Sequence, residues 1–582
     1  MFYVFYFFPL SLQLENFFEL ACYLIFGVWI KMGMERQCYW RCDDPSQNIK
    51  EAGLFFTIYY LFRIFKELNP RLFKKQYNGR PRIYTPDIML PFVCWGHMND
   101  IISCRNLEKW WSRNDDTCNI FLNCKKPGKS SINEFLNDFS ELIDLFDIFI
   151  VEFGLKTGLM NGDIQYEDGT FLKGYCNEFK KLYKNQLYFL KDFITEHSSN
   201  QTEDGLWFKM KKYFENEEYV DEVEPIIKKL KKEVHSNGIY LLKKSLNGSD
   251  ALREVLMRIE HMEENINGNN PISIIDPDAR NMKDKDGIWG FNYNYQLAVD
   301  GKFGLITAHY ITQSSNDRKE ALRMVGILNE ILGTDEYVLC VDNGYWHIES
   351  LHKMHTLPTE IVIPDTTSAS KTKAELRKEY NPSYYRYKSD EELEKEKFKP
   401  YNFFYDEEND VYIGPYGCIL TRNENTRTRE GVKYRVYSTK ECKSCPYNQV
   451  CTTKSKNKKE ISVRDDGVLD NIKSVYRSPW GQEIYKGRAP NAEGAFAALQ
   501  ESRNFRGIKT RGVKRVNDEL TLTAITHNVK KIDEHMNVNV LKTILNEIKK
   551  AKKACGRVDM GIFDNWKDKF TFNEDVIVDL KI

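Results

Sequence analysis

The 582-residue chain carries no excess of either charge: 84 lysines and arginines stand against 84 aspartates and glutamates. No global field therefore steers it toward nucleic acid or membrane, and any such surface has to be local. A clean apolar segment of the roughly 20 residues that a membrane span needs is also missing. The opening residues, MFYVFYFFPLSLQLENFFELACYLIFGVWIKMGMER, come nearest, but Pro9, Glu15 and Glu19 interrupt them. They lack the basic start and small-residue cleavage site of a signal peptide. Two readings of this leader, residues 1–34, remain. It is a peripheral membrane anchor, or it is translated from a wrongly chosen start with Met32 or Met34 as the true beginning; we prefer the second and expect no membrane partner. The 14 cysteines show no secretory framework, so we expect a cytoplasmic protein with reduced thiols. The length excludes one ordinary domain, since about 150 residues per domain predicts three or four units.

What is present begins with helices. Residues 43–150 carry apolar stripes at Leu54, Tyr59, Leu61, Phe62 and Phe65, at Ile88 to Trp95, and at Leu107 to Trp111. Between the first two lies the basic loop RLFKKQYNGRPRIYTPD, whose Thr85-Pro86-Asp87 supplies a helix start. Ser131 and Glu134 are spaced as a capping box opening another helix. Helices joined by Lys/Arg loops suit a duplex-binding module, and equally an ordinary bundle with a solvated basic face.

Residues 160–177, MNGDIQYEDGTFLKGYCN, alternate as a strand around Asp168, which we place at a strand end or bulge. A helical insert, 178–270, follows; its stripe Leu252, Val255, Leu256, Ile259, Met262 and Ile266 is packing. Then come a short strand into Asp276, a strand Phe291 to Val299, a turn at Asp300-Gly301, a strand Leu305 to Thr312 and a helix Asp317 to Leu332. The run EYVLCVDNGYWHIES closes this half. Tyr337 to Val341 is apolar enough for a strand covered on both faces, and it stops at Asp342 with Asn343-Gly344 behind it. The bland reading is an aspartate that starts the turn; the functional one sets it in the crevice at the carboxyl ends of the strands. A meander, a helix and a buried strand ending in aspartate predict an α/β chain with a ribonuclease H-like core, assembled from 160–177, 271–370 and 475–535.

An insertion, 371–474, separates that half from the last block. Glu360 to Pro364 adds a fifth strand before it, and Cys418, Cys442, Cys445 and Cys451 offer a tetrahedral zinc site or a set of reduced thiols in a β-rich subdomain. In the last block, Ala492 to Phe496 reads as a small-residue helix presenting Glu493. Arg488, Arg503, Arg506, Lys509 and Arg511 surround it, with Tyr485, Phe496 and Phe505 among them. Cations interleaved with aromatics favour a nucleic-acid strand. Residues 536–582 are left as a tail.

Four blocks together resemble the DDE transposases of bacterial insertion sequences, most closely the eleven-eighty-two family. NGRPRIYTPDIMLPFVCWG with SCRNLEKWW resembles the InsH-type N-terminal domain, and EDGTFLKGYCN the family's Asp-Gly-Thr strand. IIDPDARNMK, WGFNYNYQLAVD and VDNGY are similar to its following blocks, as is the run from Tyr485 through RGVKRVNDE to HNVKK.

The resemblance implies Asp168, Asp342 and Glu493 as catalytic acids, with Asp276 as the alternative first acid. Tyr485, Arg488 and Glu493 match the family's tyrosine-arginine-glutamate signature, the arginine holding DNA phosphate. Gln500 departs from the usual lysine and Ala497 from the usual glycine. The implied cofactor is magnesium, two ions about 3.5–4 Å apart with manganese as substitute, which stabilise the entering and leaving oxygens of an in-line displacement. The implied partners are terminal inverted repeats and target DNA, with a homodimer on the DNA. The implied function is metal-dependent cleavage and strand transfer; the alternative is a decayed, catalytically inactive DNA-binding descendant.

Overall fold

The computed structural model describes residues 53–73, 84–111, 127–199, 251–284, 287–364, 398–400, 403–406, 408–414, 417–429, 432–452, 458–500 and 507–556. The leader, the centre of the helical insert, the charged stretch 371–397, and Arg503 and Arg506 fall outside them.

The first helix, α1 (Gly53–Leu68), is apolar on nearly every side, and such a helix has to lie inside a core. Phe55, Ile58, Leu61, Ile64 and Phe65 are accordingly buried. The next, α2 (Pro86–Met98), begins where Thr85-Pro86-Asp87 predicts, with Thr85 extended at the cap and Asp87 paired to Lys66 at 2.8 Å. After α3 (Cys104–Trp111) comes α4 (Lys129–Asp138), and here the expected capping box is wrong. The helix starts directly behind Pro127-Gly128, with Gly128 extended at the cap, so Ser131 and Glu134 lie inside it. Last in the group is α5 (Ser140–Thr157), closed by Gly158 at φ 80°.

Ten residues then form β1 (Ile164–Lys173). The two-residue strands β2 (Lys181–Leu182) and β3 (Ile272–Ser273) pair with each other. Between them lie α6 (Lys184–Ser199) and α7 (Ala251–Asn265), where Val255, Ile259 and Met262 are buried as their spacing predicts. The remaining strands of the first half are β4 (Arg280–Lys283), β5 (Trp289–Asp300) and β6 (Ile306–Thr312). Then follow α8 (Glu320–Leu332), β7 (Val338–Cys340), α9 (Ile348–Met354) and β8 (Glu360–Val362).

These strands make a six-stranded sheet of order β4-β5-β1-β7-β8, with β6 alongside β4 on the outer edge of β5. The long pairs β1–β5 and β5–β6 are antiparallel, whereas β7 runs parallel to both β1 and β8. β7 therefore has neighbours on both sides, and Leu339, Cys340 and Val341 are fully buried, as their unbroken apolar run requires.

A second antiparallel sheet occupies the insertion: β9 (Phe404–Asp406), β10 (Val411–Ile413), β11 (Ile419–Arg422), β12 (Arg427–Arg429), β13 (Val432–Ser438) and β14 (Glu460–Arg464). The short α10 (Asn448–Cys451) precedes β14. Phe403, Tyr412, Leu420, Tyr437 and Ile461 form its own core. The chain returns through α11 (Gly467–Arg477) and α12 (Pro479–Lys486), a π turn (Ala489–Glu493) and α13 (Gly494–Gln500). It ends in α14 (Val513–His535) and α15 (Val538–Cys555).

One face of the central sheet, lined by Tyr293, Tyr295 and Leu297, packs on Phe496 and Leu499 of α13 and on Val516 and Leu520 of α14. The opposite face packs on α8, α9 and α11. On its far side α14 joins α1, α2, α4, α5 and α15 in a single larger core. The protein is thus a mixed α/β chain whose N-terminal helices share an interior with its last two. Residues 538–555, set apart with the tail in the sequence reading, contribute Leu541, Ile544, Leu545 and Ile548 to that interior.

Candidate active site

β1 is far longer than β7, and the mismatch builds one wall of the site. Their ladder ends at Tyr166 opposite Cys340. Asp168 stands two residues beyond Tyr166, and Asp342 two residues beyond Cys340. Side chains two apart on a strand share a face, so the two aspartates stand level and on one side where the ladder opens. Asp168 is not at a strand end or bulge, as the sequence reading had it. β1 pairs with β5 without interruption from Gln165 to Lys173, which sets Asp168 in mid-strand opposite Leu297.

Asp342 starts a turn, as the bland reading has it, directly behind β7. Its carboxylate caps the 3-10 turn (Asn343–Tyr345), accepting from the Gly344 N–H at 2.6 Å. The same turn sends Tyr345 beneath the sheet, where its hydroxyl donates to Gln296. Gln296 in turn donates to Asp317 at 2.7 Å. Gly169 is fitted to this network, because a Cβ there would overlap the Gln296 amide and crowd Asp317.

The third carboxylate arrives through the π turn. Five residues along an α-helix turn through about 500°, leaving side chains on different faces. The i to i+5 hydrogen bonding of a π turn instead brings residues five apart over one another. Arg488 and Glu493 are that pair, with Nη1 2.7 Å from Glu493 Oε1. The other guanidinium nitrogen, Nη2, lies 3.0 Å from Asp168 Oδ1 and 3.9 Å from Asp342 Oδ2. Gly487 lets the turn come this close, since a Cβ there would overlap the Tyr166 hydroxyl.

Three carboxylates remote in sequence thus surround one guanidinium. Arg488 and Asp168 are buried, with side chains 9% and 8% exposed, whereas Asp342 at 41% and Glu493 at 56% face the opening. Burial alone would make Arg488 easier to deprotonate, but Asp168 and Asp342 outweigh it and hold the guanidinium charged. Among the described residues its buried Nε has no hydrogen-bond partner. Beside it the ring of Tyr485 stacks edge to face on Tyr476, and burial pushes the Tyr485 hydroxyl up to about 12.

Glu167, which the sequence reading passed over, lies on the other face of β1. It is fully buried, and among the described residues neither carboxyl oxygen has a hydrogen-bond partner. Burial, with Asp317, Glu320, Asp168 and Asp342 adding to it, drives its carboxyl well above the usual range. The signal was available, for Glu167 falls between Gln165 and Gly169 on the face that strand alternation turns away from Asp168.

Asp276 is engaged elsewhere. Both its oxygens accept from the Tyr293 hydroxyl at 3.0 Å, and Oδ1 accepts from the Gly512 N–H. Tyr293 stands four residues along β5 from Leu297, the partner of Asp168, or about 13 Å at ordinary strand rise. Of the other expected DNA contacts, Lys509 is exposed, and Arg511 donates to the Tyr175 carbonyl while lying 4.9 Å over its ring.

The four cysteines of the insertion are neighbours. The Cys418 thiol is raised by burial and then by Cys445 and Cys442, and Cys451, raised by burial to about 11, senses the other three. Among the described residues, however, no group of three or more His, Cys, Asp or Glu side chains is drawn together tightly enough to hold a metal ion. For the cysteines this leaves only donor chemistry in favour of zinc. For the acids the cause is visible: they are spread around Arg488. Hard carboxylate oxygens are the ligands that magnesium prefers, and the Arg488 guanidinium stands as a cation among them.

No helix among the described residues is long and apolar enough to cross a membrane. No curated protein and no solved structure matches the chain. Residues 417–533, from the cysteine-bearing sheet through Arg488 and Glu493 into α14, match a family model described as a transposase DDE domain, and that match supports a DDE-type transposase.

Proposed function

We propose that the protein is an insertion-sequence transposase of the eleven-eighty-two type that binds element ends and performs metal-dependent DNA cleavage and strand transfer. The observation that carries this reading is the meeting of Asp168, Asp342 and Glu493 around Arg488. The strand order, with β5 antiparallel and β7 and β8 parallel to β1, supports a ribonuclease H-like core. Asp168 is taken as first acid over Asp276 because it alone of the two pairs with Arg488 beside Asp342.

Asp168, held by the pairing of β1, would be the fixed ligand of a bound metal, and Asp342 on the turn and Glu493 on the π segment would hold it from the open side. A bound pair of divalent ions, magnesium or manganese, would supply Lewis-acid stabilisation of the entering and leaving oxygens of the phosphodiester. The chain itself supplies position and charge, with no covalent intermediate. Arg488 offers a DNA phosphate its guanidinium, and Lys509 and the Arg511–Tyr175 pair continue the track for the strand. Two copies on the DNA complete the assembly. The neighbouring cysteines support a structural zinc only through their chemistry, and metal analysis that returns no stoichiometric zinc removes it.

A second reading, a DNA-binding protein that no longer cuts, is favoured by one specific observation: an arginine occupies the centre of the acids. Asp342→Asn separates the two. It keeps size and hydrogen bonding but removes charge, so nicking of element-end DNA falls by roughly a hundredfold or more while binding survives. Arg488→Ala weakens binding instead, with a defect that shrinks as salt rises. If the unmodified protein binds its ends but never nicks them in magnesium or manganese, the second reading stands.

A further inference from the structure

The acids surround a cation that belongs to the chain. A carboxylate oxygen approaches magnesium at about 2.0–2.1 Å, and the space that such an ion would take between Asp168 and Glu493 holds the Arg488 guanidinium, 3.0 and 2.7 Å from them. Two cations do not share that space. The arrangement is also incomplete for the arginine. Its Nη atoms are engaged by carboxylates, but among the described residues the buried Nε has no hydrogen-bond partner. A phosphate would satisfy the planar donor edge that includes Nε, since guanidinium and phosphate match in a two-pronged geometry.

We propose that Arg488 is an internal counter-cation: without DNA it clasps Asp168, Asp342 and Glu493 and keeps divalent metal out, and a DNA phosphate that draws it away opens the acids to the ions. This rests on the reading of the three residues as metal-binding acids. It adds that DNA and metal bind cooperatively, because whatever removes the arginine favours the metal, and the metal in turn releases the arginine to the phosphate. The site is thereby kept from cutting while the protein is free.

The test measures manganese binding directly, by paramagnetic resonance on the full chain without DNA. Arg488→Ala should bind manganese on the order of tenfold more tightly than the unmodified protein. Arg488→Lys, which keeps the charge but cannot bridge the acids, should fall between them. Lys486→Ala, which removes a nearby cation paired to Glu483 on the surface, should change little and so excludes a general charge effect. Adding a short DNA duplex should tighten manganese binding to the unmodified protein but not to Arg488→Ala. Equal or weaker binding by Arg488→Ala, with Arg488→Lys also unchanged, overturns the clasp and leaves the three-acid reading in place. If neither the unmodified protein nor any variant binds manganese, with or without duplex, both fall. Thermal melting of each variant establishes that it is folded, and Arg488→Lys carries the comparison if Arg488→Ala is not.

Discussion

Neighbouring acids on β1 meet opposite environments. Asp168 faces a guanidinium at 3.0 Å, whereas Glu167, one residue earlier, is buried on the far side with no hydrogen-bond partner among the described residues. Adjacent positions on a strand face opposite ways, and here that decides whether burial is compensated. Because the Glu167 carboxyl is raised in the folded protein, the folded state keeps a proton that the unfolded chain releases above about pH 4.5. Stability therefore falls as pH rises from there, by up to about 1.4 kcal/mol per pH unit while Glu167 stays protonated in the fold. Glu167→Gln should flatten that slope in urea unfolding between pH 5 and pH 8; an unchanged slope would assign the loss to other groups. Asp342 stood out in the sequence because an apolar run ended on it. The company it keeps did not, since the level placement of Asp168 depends on where a ladder between residues 166 and 340 stops.

At the scale of elements, the π turn was not legible. The run Ala492 to Phe496 reads as an ordinary small-residue helix, and Pro490 in the turn before it, which has no N–H for an α-helical bond, was the one signal there. The widened turn is closely packed, as Gly487 presses on Tyr166 and Ala492 is buried against the sheet. Gly487→Ala should push the turn off β1, cost about 1–3 kcal/mol by overpacking, and separate Arg488 from Asp168. Tyr166→Phe in the same chain should recover part of that loss, measured by denaturant unfolding; no recovery would place the strain elsewhere. Strands were read more faithfully than caps. β5 and β6 follow from alternation and from the Asp300-Gly301 turn, while Ser131 and Glu134 mimic a cap inside a helix that Pro127-Gly128 had already begun. Asn528 has a role that only the assembled structure reveals. From α14 its amide makes two hydrogen bonds, 2.7 and 2.8 Å, to the backbone of Ile306 on the sheet. Asn528→Ala leaves a buried N–H and C=O unpaired and should cost about 1–3 kcal/mol, read by the same unfolding.

Across the whole molecule, the N-terminal helices and the last two helices have one interior. Leu522, Ile525, Val529 and Ile532 of α14 and the apolar face of α15 fill the space among α1, α2 and α5. Polar ties cross the same boundary, Ser140 donating to Asp518 at 2.6 Å and Lys552 pairing with Glu67 at 2.8 Å. The segment 53–157 made alone should therefore show no cooperative thermal transition by circular dichroism, because α1 would expose the side chains that this core covers. A sharp melt would make it an independent unit. The division into a helical module and a tail, natural in the linear sequence, follows composition; the interior follows contacts between ends of the chain that composition does not encode.

That shared interior also sets an order on the ribosome. The apolar helix α1 emerges long before α14 and α15 exist to cover it, so the nascent chain must be shielded from aggregation until the final helices are made. A gene copy interrupted anywhere before α15 then yields a polypeptide with an open greasy flank, a substrate for proteases. Chains cut short before α15 would thus be removed instead of accumulating beside the intact protein.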